Sequence, residues 1–205
     1  MTAVAEGGVL LVAFFAGAIP FSNLVARRVK GIDLRETSYG TVSGTSVYRV
    51  AGFWPLALSG ILDMTKGVLG PLLAGDHWLL AALAGGLAVV GHNWSPFLGG
   101  MGGRGIAPAL GALAVTAWPG VPLLLGSLVL GKAARQTGLG GFFGEIALMP
   151  VLAITHGGHG AVAGAVLAVP MLLKRMLANS RPTEPGARPY VRRLLFDRDR
   201  NTPTP

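Results

Sequence analysis

The sequence predicts an all-α, polytopic integral membrane protein of about seven transmembrane helices, N-terminus outside and C-terminus cytoplasmic. Three observations predict it. Only 13% of the 205 residues are charged, about half the share usual in a soluble domain. Apolar runs long enough to enter or cross a bilayer alternate with short breaks rich in glycine, proline or charge. The cations fall on alternate breaks, leaving the others without Lys or Arg.

The first apolar run, residues 8–26, can cross a hydrocarbon core of about 30 Å as a helix, and Arg27, Arg28 and Lys30 close it. A polar segment rich in Gly, Ser and Thr follows over 31–49, with Arg49 expected at the start of the next helix. The second run, 53–74, ends at Gly75-Asp76, and the third covers 78–97. After Arg104 the chain is apolar to residue 133, and Trp118-Pro119-Gly120 divides that region into two short helices. Runs 139–154 and 161–173 complete the set; such short runs are expected to tilt or to span only partly. With the N-terminus outside, Arg27, Arg28, Lys30, Arg35, Arg49, Arg104, Lys132, Arg135, Lys174 and Arg175 all fall inside. The breaks near Asp76, Pro119 and His156 carry no cation. Residues 1–178 read as the membrane domain and 179–205 as a basic, Pro/Arg-rich cytoplasmic tail. That tail lacks the apolar period of a packed domain, and its Arg192, Arg193, Arg198 and Arg200 are expected against anionic lipid headgroups.

Composition also excludes classes. There is no cysteine, hence no disulfide framework and no Cys metal site. His77, His92, His156 and His159 lack a zinc spacing, and the H-x-x-H pair lies in a Gly-rich hinge read as a polar turn. No metal or cofactor is expected. The net charge of +8 belongs to cations flanking apolar runs, which argues for membrane topology and against nucleic acid. Glu6 precedes the first run with no basic segment before it, so a cleaved signal peptide is not expected.

Two stretches are chemically unusual. Residues 91–108 read G-H-N-W-S-P-F-L-G-G-M-G-G-R-G-I-A-P, with six glycines, one His, one Arg and no acid. A Gly-rich turn that opens a helix aims free N–H groups at an anion, and Arg104 can fork two hydrogen bonds onto a phosphate. Residues 31–52 hold Ser38, Thr41, Ser43, Thr45 and Ser46, with open backbone at Gly40 and Gly44 and a cation at Arg49. Topology puts both stretches on one side, where they can share a site. A flexible loop is the alternative for each. Asp63 and Lys66 stand one helical turn apart, share a face, and read as an ion pair pinning helices. Glu145 has no local partner; it is either buried and protonated or placed near a helix end.

Taken together, G-I-D-L-R-E at 31–36, Thr45, Arg49, the D-M-T-K-G element at 63–67 and G-H-N-W-S-P-F-L-G-G-M-G-G-R-G-I-A at 91–107 resemble the PlsY family. Its members are bacterial membrane glycerol-3-phosphate acyltransferases that use acyl phosphate. The resemblance covers about residues 8–140, in order and in spacing. It implies a seven-helix enzyme of the bacterial inner membrane, with its active site facing the cytoplasm. It implies acyl transfer from acyl phosphate to the 1-hydroxyl of glycerol 3-phosphate, giving lysophosphatidic acid for phospholipid synthesis. Its catalytic residues would be His92, Arg104 and Arg49. Substrate would be bound by Gly40, Thr41, Gly44, Thr45, Ser46, Gly102, Gly103 and Arg135. The partners implied are the two substrates and membrane lipids, with no nucleic acid. The sequence departs from the family pattern at Tyr39, Thr41, Ser46, Met101, Pro108 and Gly138, and Arg104 replaces a lysine. Asn179 and Glu184 match a terminal motif in kind but not in spacing and stay outside the expected site. The departures leave a second expectation: a lipid- or phosphate-binding family paralogue impaired in catalysis, or one acylating another polyol phosphate.

Overall fold

A computed structural model of the chain describes residues 1–37, 41–182 and 184–197. Among the described residues there are nine α-helices and no strand. They are α1 Ala3–Ala18, α2 Phe21–Lys30, α3 Gly44–Ala51, α4 Phe53–Ala74, α5 Trp78–Asn93, α6 Ile106–Thr116, α7 Gly120–Ala133, α8 Thr137–Leu177 and α9 Arg188–Phe196. Three stretches are long and apolar enough to cross a membrane: Ala3–Lys30, Phe53–Ala74 and Thr137–Leu177. Helices α6 and α7 are apolar but shorter. Large apolar side chains such as Leu11, Trp54, Ile61, Leu130 and Ile154 point outward, as the lipid-facing surface of a membrane bundle requires.

Helix α5 is the central post, packed against α1, α4, α6 and α8. Small residues let the backbones close in. A Cβ on Gly17 would strike the Ala88 carbonyl, and one on Gly91 the Phe14 carbonyl, across the α1–α5 seam. Gly67 and Gly111 do the same against the Pro108 and Met64 carbonyls between α4 and α6. In lipid, where apolar burial drives helix association weakly, such close van der Waals contact carries much of the packing.

Four features differ from the sequence expectation, each for a local reason. The first run is not one helix. Pro20 lacks an N–H and disfavours helical backbone at Ile19, so α1 stops at Ala18 and α2 starts at Phe21. The polar segment is partly helical, and Arg49 lies in the last turn of α3 instead of opening a helix. The last two runs form one element bent at Gly157. A straight helix of 41 residues would run about 60 Å, twice a bilayer core. Gly157, at φ 61° and ψ −147°, takes a conformation that side chains forbid. The two limbs fold back there, so that Gly160 and Gly164 pack on Leu152 and Met149.

The fourth difference is the tail. Helix α9 packs on α8, and Arg193 is buried, donating to the Leu177 and Ser180 carbonyls at 3.3 and 3.0 Å. That arginine is therefore not at a lipid surface. Arg198 and Arg200 lie outside the described residues.

The two ends of the bundle are unlike. Asp76, Trp78, Thr116, His156 and His159 surround an open cavity of about 180 Å³ at one end. The α1–α2 break and the two glycine-rich stretches meet at the other.

Candidate active site

The break at Ile19-Pro20 frees carbonyls inside the bundle, and side chains from other helices satisfy them. Ser95 Oγ donates to the Ala18 carbonyl at 2.6 Å, and Lys66 Nζ donates to the Ile19 carbonyl at 2.8 Å. Lys66 also pairs with Asp63 at 2.7 Å on the same face of α4. The other Asp63 oxygen accepts from Ser22 Oγ at 2.9 Å, and His92 Nδ1 lies 3.7 Å from the carboxylate. Ser22, Asp63, Lys66 and His92 are all buried. An unpaired charge there would be expensive, so the cluster is held by mutual compensation. These four, with Val42, Ser95, Leu98 and Gly102, line a cavity of about 10 Å³, room for one water.

The glycine-rich stretch wraps this cluster. A Cβ on Gly103 would strike His92 Nε2, and one on Gly102 would strike the His92 carbonyl. Both positions therefore demand glycine for space. The Val42 N–H donates to the Gly102 carbonyl at 3.2 Å, which joins the 31–52 segment to the 91–108 stretch. Asn179 then clasps Gly102 from beyond α8. Its Nδ2 donates to the Gly102 carbonyl at 2.9 Å, and its Oδ1 accepts from the Gly102 N–H at 3.0 Å. Nearby, Lys174 is buried with Nζ 5.3 Å from the centre of the Trp94 ring, a cation–π distance.

The residues expected from sequence fall into three groups. His92, Gly102 and Gly103 lie together at the cavity. Thr41 and Ser46 sit beside it in a local net: their hydroxyls are 3.0 Å apart, and Ser46 Oγ donates to the Thr41 carbonyl at 2.7 Å. Gly44 opens α3, Thr45 and Arg49 are exposed on it, and Gly40 lies outside the described residues. Arg104 is turned away from the cavity. Its NH1 donates to the Lys174 carbonyl at 3.0 Å, and its Nε pairs with Asp197 at 2.7 Å. Arg135 is exposed in the turn between α7 and α8, with a left-handed φ of 55°, and does not line the cavity.

The site expected from sequence does not include Ser22, Ser95, Lys174 or Asn179, and the sequence favours a helix-pinning ion pair for Asp63 and Lys66. Pro20 was the available signal: a proline inside an apolar run frees carbonyls, and the hydroxyls at Ser22 and Ser95 are their natural company. Several motif departures have packing accounts. Met101 joins the apolar cluster of Leu34, Val42, Val47 and Leu98. Pro108 stands in the first turn of α6, where its missing N–H has no intrahelical role. Gly138 makes room for the Phe196 carbonyl of α9.

Outside the membrane-spanning stretches, Asp33 takes a bidentate contact from Arg35, with NH2 at 2.7 Å. The Arg35 guanidinium lowers the Asp33 carboxyl from 3.8 to about 2. Its Oδ1 also accepts from the Arg35 N–H and opens the short 3₁₀ turn at Leu34–Glu36. Asn23 Oδ1 accepts from the Leu34 N–H at 2.8 Å, fixing that turn to α2. Among the described residues no group of three His, Asp or Glu side chains is placed to hold a metal ion.

An all-helical membrane bundle with buried charge and a glycine-rich cradle at one end is the class these features define. Residues 8–181 match the glycerol-3-phosphate acyltransferase family, and the chain belongs to that family. The match runs well past residue 140 and takes in Asn179. A glycerol-3-phosphate acyltransferase of Synechococcus sp. strain CC9902 is 35% identical over 187 residues, covering 89% of this chain and 93% of that one. One from Parasynechococcus marenigrum strain WH8102 is 33% identical over 188 residues, covering 89% and 88%. Among solved structures, PlsY, an integral membrane glycerol 3-phosphate acyltransferase, in its glycerol 3-phosphate form superposes with a TM-score of 0.76. It is 25% identical and covers 95% of this chain and 94% of its own.

Proposed function

We propose that this chain transfers an acyl group from acyl phosphate to the 1-hydroxyl of glycerol 3-phosphate, giving lysophosphatidic acid and inorganic phosphate. The observation that carries the reading is the junction of the two anion-type stretches. Val42 meets Gly102 directly beside His92, Asp63 and Lys66. The acyl donor is a mixed anhydride and already activated, so no acyl-enzyme is required. The hydroxyl oxygen bonds to the acyl carbon, and the bond from that carbon to the phosphate oxygen breaks. Phosphate leaves with the electron pair, and the hydroxyl proton passes to it. The protein's work is to hold two anions together and to meet the developing oxyanion. In this reading Arg49, Arg104, Thr45 and the Gly40 and Gly44 amides take donor phosphate, and His92 orients the acceptor. Thr41, Ser46, Gly102, Gly103 and Arg135 complete the binding surface.

The proposed setting is the bacterial inner membrane, with about seven crossings, the N-terminus outside and this end of the bundle facing the cytoplasm. Positive charge at Arg27, Arg28, Lys30, Lys132 and Lys174 supports that orientation. The test is purified protein in detergent or lipid, supplied with acyl phosphate and glycerol 3-phosphate. Lysophosphatidate and phosphate should appear in equal amounts. If no product forms and no other polyol phosphate is consumed, the reading fails and a non-catalytic phosphate- or lipid-binding role replaces it.

A further inference from the structure

Arg104 lies in the glycine-rich stretch where an anion would be met, yet it already holds one. Its guanidinium is only 12% exposed, with Nε 2.7 Å from Asp197 Oδ1. A second edge, NH1, donates to the Lys174 carbonyl. The guanidinium meets these two partners with separate nitrogens of one rigid planar fork, a geometry that suits arginine at this position. Asp197 is brought there by α9, and α9 has its own seat. Arg193 is buried against the end of α8, and Gly138 lacks the Cβ that would strike the Phe196 carbonyl.

The clasp is unequal along its length. Arg193 is 2% exposed, whereas the Asp197 side chain is 28% exposed. Asp197 sits one residue past the helix in left-handed backbone, at φ 51°. The anchored end is therefore Arg193 and the releasable end is the carboxylate. A phosphate monoester carries about −1.5 to −2 charge and three acceptor oxygens. It makes stronger, bidentate contacts to a guanidinium than a single carboxylate oxygen does.

We propose that Asp197 is an affinity-determining residue. Its carboxylate is an internal stand-in that competes with a substrate phosphate for Arg104, and the end of α9 lifts when that phosphate binds. This rests on the reading of Arg104 as a phosphate ligand. The experiment uses full-length protein in detergent micelles and two probes. Inorganic phosphate binding is read by thermal shift, and the KM for acyl phosphate, whose phosphate Arg104 is proposed to take, is read by turnover. Asp197→Asn should tighten the phosphate Kd roughly two- to fivefold, the upper part of the range for a partly exposed ion pair, and lower KM in step with kcat unchanged. Gly138→Ala adds a Cβ against α9 while leaving Asp197 intact, and it should move the phosphate Kd in the same direction. Unchanged or weaker phosphate binding in both variants would overturn the proposal and leave Asp197 as a staple that holds Arg104 in place. Tighter phosphate binding in a protein that makes no lysophosphatidate would uphold the competition while the acyl-transfer reading fails.

Discussion

Among the described residues two buried ion pairs within the helices are built to different ends. Glu145 and Arg175 join the two limbs of α8. Arg175 Nε and NH2 donate to Glu145 Oε2 and Oε1 at 3.2 and 2.8 Å, and NH1 donates to the Gly138 carbonyl at 2.9 Å. Both side chains are almost fully buried, and neither lines the cavities at the two ends of the bundle. Asp63 and Lys66 instead sit one turn apart on one helix and reach outward to Ser22, Ile19 and His92. They line the small cavity where the glycine-rich stretches meet. The first pair is closed on itself and holds the α8 hairpin. The second is open on one side and faces the place where chemistry is proposed. Burial of charge alone does not separate a clamp from a site; what the charges face does.

The largest expected effect breaks the clamp. Glu145→Ala leaves a guanidinium buried without its counter-ion, which should lower stability by about 3–5 kcal/mol. Unfolding in mild detergent measures it. The molecules that remain folded should keep their specific turnover. Replacing both partners, Glu145→Leu with Arg175→Met, should recover most of the loss, since an apolar pair avoids the desolvation of two charges.

Asp63→Asn should show the opposite balance. The amide keeps an acceptor for Ser22, and Lys66 keeps the Ile19 carbonyl as a partner. The expected stability loss is about 1–3 kcal/mol, while turnover falls about a hundredfold because His92 and the glycine-rich stretch lose their fixed reference. Specific activity set against the unfolding midpoint separates the two. A stability loss equal to that of Glu145→Ala, with turnover intact, would make both pairs clamps.

The two pairs also differ in how far the sequence disclosed them. Asp63 and Lys66 are three residues apart, so local spacing exposes them. Glu145 meets a partner thirty residues on, reached only because Gly157 reverses α8. The same holds elsewhere. Trp118-Pro119-Gly120 and the 156–159 hinge announced their turns through residue type, and the structure bends at both. His92, Gly102 and Gly103 were legible because they share one short stretch. Asn179 was not, since its bonds to Gly102 span 77 positions. Helix α9 was missed because its seat is made by Gly138 and Arg104, far away in sequence. Pro20 was visible, but the apolar run around it hid the break.

Ser22→Ala sharpens the open side of the comparison. It deletes the hydroxyl that donates to Asp63 and leaves the ion pair in place. A hydrogen bond to a charged group is worth about 1.5–3 kcal/mol, and the low end is expected because Lys66 still neutralises the carboxylate. An unfolding midpoint unchanged from the parent would mean that Asp63 is held by Lys66 alone.

The smallest effect belongs to a third pair, which lies outside the membrane and serves as the reference for what exposure does. Asp33 is 8% exposed, but its partner Arg35 is 38% exposed, so solvent screens the attraction. The Asp33 carboxyl is lowered from 3.8 to about 2. The sign follows: the pair's stabilisation is complete above the unfolded value, is lost as pH falls from 3.8 through about 2, and does not change as pH rises. Solvent screening makes the contribution small. Arg35→Gln should therefore lower the unfolding temperature slightly at pH 7, and the two melting curves should converge as pH approaches 2. A gap that persists there would show that Arg35 acts through the packing of its stem and not through its charge. In that case the graded series from buried clamp to open site to surface pair would no longer be electrostatic at its exposed end.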